Sequence, residues 1–252
     1  MEGRYFRLRV TYEKSGRLAM LSHLEMTHAL ERMVRRAGLP FAMTQGFSPH
    51  MRLSFGSALP VGVGSTCEVF DVVLDRYVAP ARALEALGGA SASGLGCVSC
   101  EYVEPSAKAA SVAFPYSVYV AEFDAPISGI DVPPTIDVVR RKGTRTIVTK
   151  DHLVCDPVID GNAVAFQLHN GDNGTLRPDV LVSEATLVAS DGSAAPSLLS
   201  MTRISQSDAE ASDIAGLMAG SRRTDAADPS YSEPAGDMIP SSLPIDPAEG
   251  RG

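Results

Sequence analysis

Alternation of apolar and polar residues dominates the start of the chain and predicts a half-buried strand over residues 5–14, "YFRLRVTYEK". Apolar side chains occupy every second position, namely Phe6, Leu8, Val10 and Tyr12. The positions between them hold Arg7, Arg9 and Thr11. Because successive side chains of a strand point to opposite faces, we expect one face to pack on a core and the other to meet solvent.

The pattern then changes to a helical period in "MLSHLEMTHALERMVRRAGLP", residues 20–40. Ser22 and Glu25 have the spacing of a capping box, and Gly38 with Pro40 ends the helix. At 100° per residue, one side carries an apolar stripe of Met26, Ala29, Leu30, Met33 and Ala37. The opposite side carries His28, Arg32, Arg35 and Arg36. The sequence therefore predicts a helix with an apolar inner face and a basic outer face.

The next elements complete a recognisable order. Residues 53–74 hold two strand patterns, 78–90 a short helix and 95–104 another strand. The order strand–helix–strand–strand–helix–strand predicts a ferredoxin-like (split βαβ) unit over residues 1–105, with an antiparallel sheet and helices on one face. We expect the fold class to be α+β.

A second, smaller α+β unit is predicted over residues 106–207. Strands are expected at 116–123, 163–171 and 198–205, a hairpin at 135–151 and a helix at 177–185. This order makes the second unit a degenerate copy of the first, so the chain would hold tandem ferredoxin-like units. Residues 208–252 are rich in Ala, Ser, Asp, Pro and Gly, which predicts a disordered tail.

Charge is distributed unevenly. The whole chain has a net charge of −8, which argues against a general nucleic-acid-binding protein. Residues 1–52 hold nine Arg or Lys against four Glu, a net of +5, which leaves −13 for the rest. A basic segment on an acidic protein is a candidate anion-binding surface, and solvated strand and helix faces are the alternative explanation.

The segment "TQGFSPHMR", residues 44–52, supplies further candidate side chains. Gly46 permits a sharp turn, and a proline restricts the residue before it to an extended conformation. We expect the loop to present Gln45, Ser48, His50 and Arg52 as a binding site for a phosphate or a carboxylate. The return of the chain after the helix predicts that the loop reaches His23, the first helical residue. The alternative is an ordinary tight connection.

Cysteine use and hydropathy indicate a cytoplasmic protein. Four cysteines do not form a disulfide framework, and we expect them to be reduced. Cys97 and Cys100 are three residues apart on a predicted strand, so their side chains should point to opposite faces, which argues against a metal or redox pair. No apolar run reaches 18 residues, and the first residues lack the layout of a secretion signal, so no membrane partner is expected.

The motifs "YEKSGRLAM", "LSHLE", "RRAGLP", "QGFSPH" and "SFGSALPVGVGSTCEVFDVVL" resemble the bacterial radical-SAM-linked protein family, an uncharacterised family found beside or fused to radical S-adenosylmethionine proteins. The resemblance is specific over residues 4–104 and continues weakly to about residue 205. Glu25 replaces the family's usual aspartate, and Met51 replaces a second proline. The resemblance implies a radical SAM partner, to which S-adenosylmethionine and an iron–sulfur cluster would belong. No CxxxCxxC motif occurs, and we expect this chain to bind no cofactor or metal itself.

Three functions follow from these residues and this resemblance. The first is an accessory module that works with a radical SAM protein and binds RNA, or another phosphate-bearing substrate, through Arg32, Arg35, Arg36, Gln45, Ser48 and Arg52. The second is a metal-independent RNA-processing enzyme with His23 and His50 as catalytic residues. The third is a purely protein-binding module. We favour the first, and the sequence leaves open whether the protein is an enzyme.

Overall fold

A computed structural model describes residues 5–140, 143–171, 175–192 and 194–225. Within these ranges the α-helices are α1 (His23–Arg36), α2 (Pro80–Ala90), α3 (Ala110–Ala113), α4 (Pro178–Glu184) and α5 (Ile214–Asp225). The first six strands are β1 (Phe6–Lys14), β2 (Leu53–Phe55), β3 (Gly64–Leu74), β4 (Leu95–Val103), β5 (Tyr116–Phe123) and β6 (Ile127–Asp131). The other six are β7 (Thr135–Arg140), β8 (Gly143–Val148), β9 (Val158–Asp160), β10 (Ala163–His169), β11 (Thr186–Ala189) and β12 (Leu198–Ser207).

One eight-stranded sheet runs through the protein, in the order β4-β1-β3-β12-β5-β10-β9, with β2 added beside β3. Its pairs are antiparallel except for β12 and β3, which run parallel where Thr202 meets Gly64 and Arg203 meets Ser65. The strands β11 and β6 form one separate two-stranded sheet, and β7 and β8 form another. The fold is therefore mixed α and β with mostly antiparallel strands.

The predicted element order of the first half is confirmed: strand, helix, two strands, helix and strand follow one another as expected. In the second half, the strands at 116–123, 163–169 and 198–207, the hairpin and the helix also appear within a few residues of their predicted positions. Three short strands, β6, β9 and β11, were not predicted. Each spans five residues or fewer, too few for a periodic pattern to emerge.

The cores follow the two halves, although the sheet joins them. One apolar cluster is built from residues of 1–105 and includes α1, α2, β1 and β3. A second joins β5 and β10 to α4 and the β7–β8 hairpin, and it takes Val63 and Leu59 from the first half. The division into domains 1–105 and 106–207 stays a prediction, since a single sheet crosses that boundary.

The predicted start of the disordered tail, residue 208, lies too early in the chain, because a packed helix follows it. Helix α5 occupies residues inside the predicted tail, and its Ile214 and Met218 are buried against Val118, Val120 and other residues of β5 and β10. Those strands are buried on both faces, so their second face needs an apolar cover, which α5 supplies. Residues 226–252, the rest of the predicted tail, lie outside the described residues.

The half-buried description of β1 also needs correction. Its apolar face lies in the first core as predicted, but Arg9 on the other face is only 8% exposed. Helix α3 lies against β2 and β3 on this second face, and Phe114 places its ring 5.4 Å from the Arg9 guanidinium carbon. Polar residues of an alternating strand are thus buried here because another segment covers them.

Candidate functional site

Helix α1 begins at the predicted capping box. The Ser22 hydroxyl accepts a hydrogen bond from the Glu25 amide at 3.4 Å, and the Glu25 carboxylate accepts one from the Ser22 amide at 2.8 Å. A third hydrogen bond runs from the Ser22 hydroxyl to the same carboxylate, and these bonds lower the pKa of Glu25. Ser22 and Glu25 therefore serve to start the helix.

The two faces of α1 are those that the pattern predicts. Its buried residues are Met26, Leu30, Met33 and Val34, while Ala29 and Ala37 are half-buried. His28, Arg32, Arg35 and Arg36 are all exposed. Within the part of the chain that the structure describes, none of the three arginines forms an ion pair with a carboxylate. We call this outer face of α1, with His28, Arg32, Arg35 and Arg36, the basic face.

The loop at residues 44–50 leaves the sheet as a narrow projection. Met43 pairs with Met51 at its base, and the Thr44 amide donates to the His50 carbonyl at 2.8 Å. The His50 Nδ1 lies 3.2 Å from the Thr44 hydroxyl and 3.2 Å from the Ser48 carbonyl oxygen. The φ angle of Gly46 is +131°, a backbone conformation that residues with a Cβ atom rarely adopt. The loop is therefore an ordered hairpin in which His50 lies within hydrogen-bonding distance of two other loop residues.

The tip of this loop exposes an aromatic side chain that the sequence reasoning did not select. Phe47 is fully exposed, and Gln45, Ser48 and His50 around it are exposed as well. A phenylalanine between Gly46 and a Ser-Pro pair has no periodic strand or helix in which to be buried. That context was the available signal for an exposed aromatic residue.

The loop lies at the C-terminal end of α1. The Arg35 guanidinium carbon is 5.3 Å from the Phe41 ring, and Phe41 pairs with Leu74 at the end of β3. Arg52, half-buried, sits 4.7 Å above the Tyr5 ring, just before the start of β1. The segment that leads from α1 into the loop therefore packs near the Arg35 end of the basic face.

His23 is in contact with β2. The exposed His23 ring lies edge-on to Phe55, with centroids 5.3 Å apart, at the far end of β2. Met51, at the base of the loop, is four residues before Phe55, and the Leu53 amide donates to the Met51 carbonyl at 2.9 Å in a tight turn between them. The contacts found for His23 and for His50 among the described residues have no residue in common, so a pocket shared by His23, His50 and the loop side chains stays a prediction.

Much of the positive charge of the first 52 residues is already compensated or buried. Arg7 and Arg9 both donate to Asp71, at 2.6 Å and 2.8 Å for their closest atoms. Arg7 also donates to the Ala107 carbonyl at 2.7 Å, and Lys14 is buried on the core face. The exposed positive charge of this segment is therefore smaller than the charge count predicts, and three of its arginines lie on α1.

A second feature, a small cleft that is partly open to solvent, lies where α1 begins. Its polar lining includes Tyr12, Lys14, His23, Ser57 and Glu68. Only 3% of the Lys14 surface and 5% of the Glu68 surface is exposed. Burial lowers the pKa of Lys14, against the opposing effect of Glu68, and burial raises the pKa of Tyr12. Buried ionisable groups that line a cleft are candidates for a ligand site.

The alternation of β1 indicates that Lys14, which lines this cleft, is buried. Lys14 has the same parity as Val10 and Tyr12, so the alternation that buries those residues also buries Lys14. Glu68 stands within the apolar run that forms β3. Its partner Arg203 belongs to β12, more than 130 residues later, and only the fold joins them.

Arg203 connects the two halves of the sheet from a fully buried position. Its Nε donates to Glu68 Oε1 at 2.8 Å, and its Nη2 donates to the same oxygen and to the Ser57 carbonyl at 3.0 Å. Its Nη1 lies 3.4 Å from the Tyr119 hydroxyl of β5. Nearby, burial raises the pKa of Cys67 to about 11, which keeps this thiol protonated at neutral pH.

The two cysteines of β4 point to the same side, contrary to the prediction. Cys97 and Cys100 both pack against the first core, because the register of β4 with β1 shifts between Thr11 and Tyr12. The Cys97 thiol lies 3.8 Å from the Met33 sulfur, and the Cys100 thiol donates to the Pro80 carbonyl at 3.0 Å. A bulge adds one residue to one strand and thereby restores a common face.

No group of three or more His, Cys, Asp or Glu side chains in the described ranges is placed to hold a metal ion. No helix among those described is both long and apolar enough to cross a membrane.

Comparison with known proteins gives a family without a known activity. No curated protein matches the sequence. Residues 7–178 match a family described as uncharacterized protein conserved in bacteria (DUF2344), a range that includes α1, the 44–50 loop and the Lys14 cleft. This match contains no link to radical SAM proteins, so that association stays a prediction. The chain belongs to this uncharacterised, bacterially conserved DUF2344 family.

Proposed function

We propose that the protein is an accessory module that binds RNA for a radical SAM partner. The observation that carries this proposal is the basic face of α1, which presents Arg32, Arg35 and Arg36 to solvent with no described carboxylate partner. Guanidinium groups on one helix side suit contact with successive phosphates, a mode of binding that is independent of base sequence.

The 44–50 loop extends this surface. Phe47 supplies a flat apolar ring on which an unpaired base can stack, and Gln45 and Ser48 supply neutral hydrogen-bonding groups beside it. Because the loop lies at the Arg35 end of the helix, one strand can contact both features. We therefore favour single-stranded RNA over a duplex as the ligand.

The partner is inferred from the resemblance to radical-SAM-linked proteins. In this proposal S-adenosylmethionine and the iron–sulfur cluster belong to the partner, and this chain supplies the substrate-binding surface. Co-purification from the native organism tests it, with identification of both the protein and the nucleic acid that accompany the chain. Recovery of RNA with no radical SAM protein would remove the partner from the proposal and leave the RNA surface.

The geometry favours a binding module over a metal-independent RNA-processing enzyme. Such an enzyme needs a base and an acid on either side of one phosphate, within hydrogen-bonding reach. The contacts found for His23 and for His50 among the described residues have no residue in common, so they give no support to a phosphate held between the two rings.

The fold supports the tandem ferredoxin-like organisation as a further proposal. If β1, β2, β3 and β4 are numbered one to four, their order in the sheet is four, one, three, two. Strands β5, β9, β10 and β12, numbered likewise, have the same order. In the second set the β7–β8 hairpin packs where a first helix would be expected, which makes the second unit the degenerate copy.

The central experiment replaces Arg32, Arg35 and Arg36 with Ala and measures binding of single-stranded RNA across a salt series. We expect weaker binding and a salt slope reduced by about 0.7 for each lost phosphate contact. The matched control is Arg17→Ala, Arg76→Ala and Arg82→Ala, three exposed arginines outside α1 that give the same change in net charge. Equal slopes in the two triple variants would reject the basic face, and absence of RNA binding at low salt would favour the protein-binding alternative.

A second experiment addresses the loop. Phe47→Ala should weaken RNA binding by about 1–3 kcal/mol, the contribution of one stacked base, and leave the salt slope unchanged. Phe47→Trp retains a stacking surface and should restore binding. An Ala variant with native affinity would remove the loop from the RNA site.

A further inference from the structure

We propose that the exposed face of Tyr77 is a stacking platform for an unpaired base of the RNA that the basic face of α1 binds. This inference rests on the proposed function, and it adds a second point of base contact to the one that Phe47 supplies. The platform belongs to an aromatic cluster of Phe6, Tyr77 and Tyr102 in the first half of the protein.

The first support is that the Tyr77 ring has one covered face and one open face. Tyr77 lies nearly parallel to Tyr102, at an angle of 28° with ring centroids 5.1 Å apart, and Phe6 meets both rings edge-on. Even so, 59% of the Tyr77 surface is exposed. The face of Tyr77 that is turned away from Tyr102 is therefore open to solvent, and a further flat ring can stack on it.

The second support is that the platform is held in place before a ligand arrives. The Tyr102 hydroxyl donates to the Val78 carbonyl at 2.8 Å and accepts from the Val78 amide at 3.1 Å. These bonds fix the residue that directly follows Tyr77, and α2 begins at Pro80, two residues further on. A ring that is already ordered loses little conformational freedom when a base stacks on it.

The third support is the position of the cluster relative to the basic face. At the end of β3, Leu74 pairs with Phe6 on one side and with Phe41 on the other, and the Arg35 guanidinium carbon lies 5.3 Å from the Phe41 ring. Because adjacent strands are about 4.8 Å apart, Phe6 and Phe41 lie roughly 10 Å from each other across the sheet. Both side chains pack against the first core, on the face of the sheet that α1 covers. A single strand that leaves the basic face at Arg35 can therefore reach Tyr77.

The fourth support is the charge around the platform, which suits a base better than a phosphate. The neighbouring Arg76 is paired with Asp75 at 3.6 Å, so these two side chains add no net charge beside Tyr77. An aromatic face accepts any base, since every base has a π face. The ligand class is thus an unpaired nucleobase, bound with little preference for sequence.

Binding of a single-stranded RNA of about 12 nucleotides to the full chain tests the proposal. Tyr77→Leu keeps an apolar side chain on Tyr102 but removes the flat ring, and it should weaken binding roughly 5- to 150-fold, the loss expected for one stacked base. Tyr77→Phe keeps the ring and should bind as the unaltered protein does. The salt slope should be the same in all three proteins, because stacking on an uncharged ring releases no counterions from phosphates.

A matched control makes the same change at another stacked tyrosine. Tyr116 is half-buried against the His169 ring in the second half of the protein, with ring centroids 4.7 Å apart. Tyr116→Leu should leave RNA affinity unchanged. An equal loss of affinity in Tyr116→Leu and Tyr77→Leu would overturn the platform.

Photocrosslinking of the unaltered chain provides a readout that does not depend on any variant. Irradiation of bound RNA that contains 5-iodouridine joins a stacked base to the aromatic ring beneath it, and mass spectrometry of the peptides should find an adduct on Tyr77. If Tyr77→Leu does not fold, this adduct decides. Native affinity in a folded Tyr77→Leu variant, or RNA binding with no adduct on Tyr77, would overturn the platform alone. Absence of RNA binding at low salt would overturn both the platform and the proposed function.

Discussion

The two halves of the sheet cover their second face by different means. In the first half, the face opposite α1 and α2 carries Arg7 and Arg9, which both donate to Asp71 beneath the segment that contains α3. In the second half, the corresponding strands are apolar on both faces, and α5 packs on them.

This difference shows how far an alternating pattern can be trusted. Polar residues at every second position indicate a solvent-facing surface only if no other segment covers them. Arginines that find a carboxylate and backbone carbonyls can be buried, as Arg9 is beneath Phe114. Strands with no polar face, such as β5 and β10, instead require a further element, even where the later sequence looks unable to form one.

The largest loss of stability is expected where α5 covers the second face of β5 and β10. Ile214→Ala with Met218→Ala should lower the free energy of unfolding by about 4 kcal/mol or more, because both buried side chains leave cavities over β5 and β10. Leu217→Ala, on the more exposed side of α5, is the matched control and should cost far less. Denaturant unfolding of the full chain measures both, and equal losses would mean that α5 does not pack as described.

The contact between the halves comes next. Glu68→Gln should cost about 3 kcal/mol, because the Arg203 guanidinium would be left buried without its counter-charge. Replacement of both partners, Glu68→Leu with Arg203→Met, should recover much of this loss. If the loss of unfolding free energy in this double variant equals the sum of the losses in Glu68→Leu and Arg203→Met alone, the two residues do not stabilise the fold through their mutual charge.

The polar second face should respond less strongly. Asp71→Asn removes the carboxylate that two arginines share and should cost about 2 kcal/mol, since Arg7 and Arg9 keep their bonds to the Ala107 and Lys108 carbonyls. Asp75→Asn, at an exposed position four residues later and just beyond the end of β3, should leave the unfolding midpoint unchanged. A neutral effect of Asp71→Asn would show that the segment over this face is held by other contacts.

The smallest loss of stability is expected at the start of α1, on the opposite side of the sheet. Ser22→Ala removes the side-chain cap of α1 and should cost about 1 kcal/mol in thermal or denaturant unfolding. RNA binding should persist, because the hydroxyl has a structural role. Native stability combined with loss of function in this variant would mean that Ser22 takes part in the activity.

Local patterns were sufficient for most of the regular elements. The spacing of Ser22 and Glu25 determined where α1 begins, and the period of its apolar residues determined which side bears Arg32, Arg35 and Arg36. The element order of the first half followed from the change between two-residue and helical periods. These features depend on residues within a few positions of one another, so the chain specifies them before it folds.

The tertiary structure decided what lies next to what. It placed His23 against Phe55, and it paired Glu68 with Arg203 across more than 130 residues. A bulge turned Cys97 and Cys100 to one face, and the second face of β5 and β10 gave α5 a place to pack. Such contacts depend on strand order and register, which arise from the packing of distant segments and leave no periodic trace in the sequence.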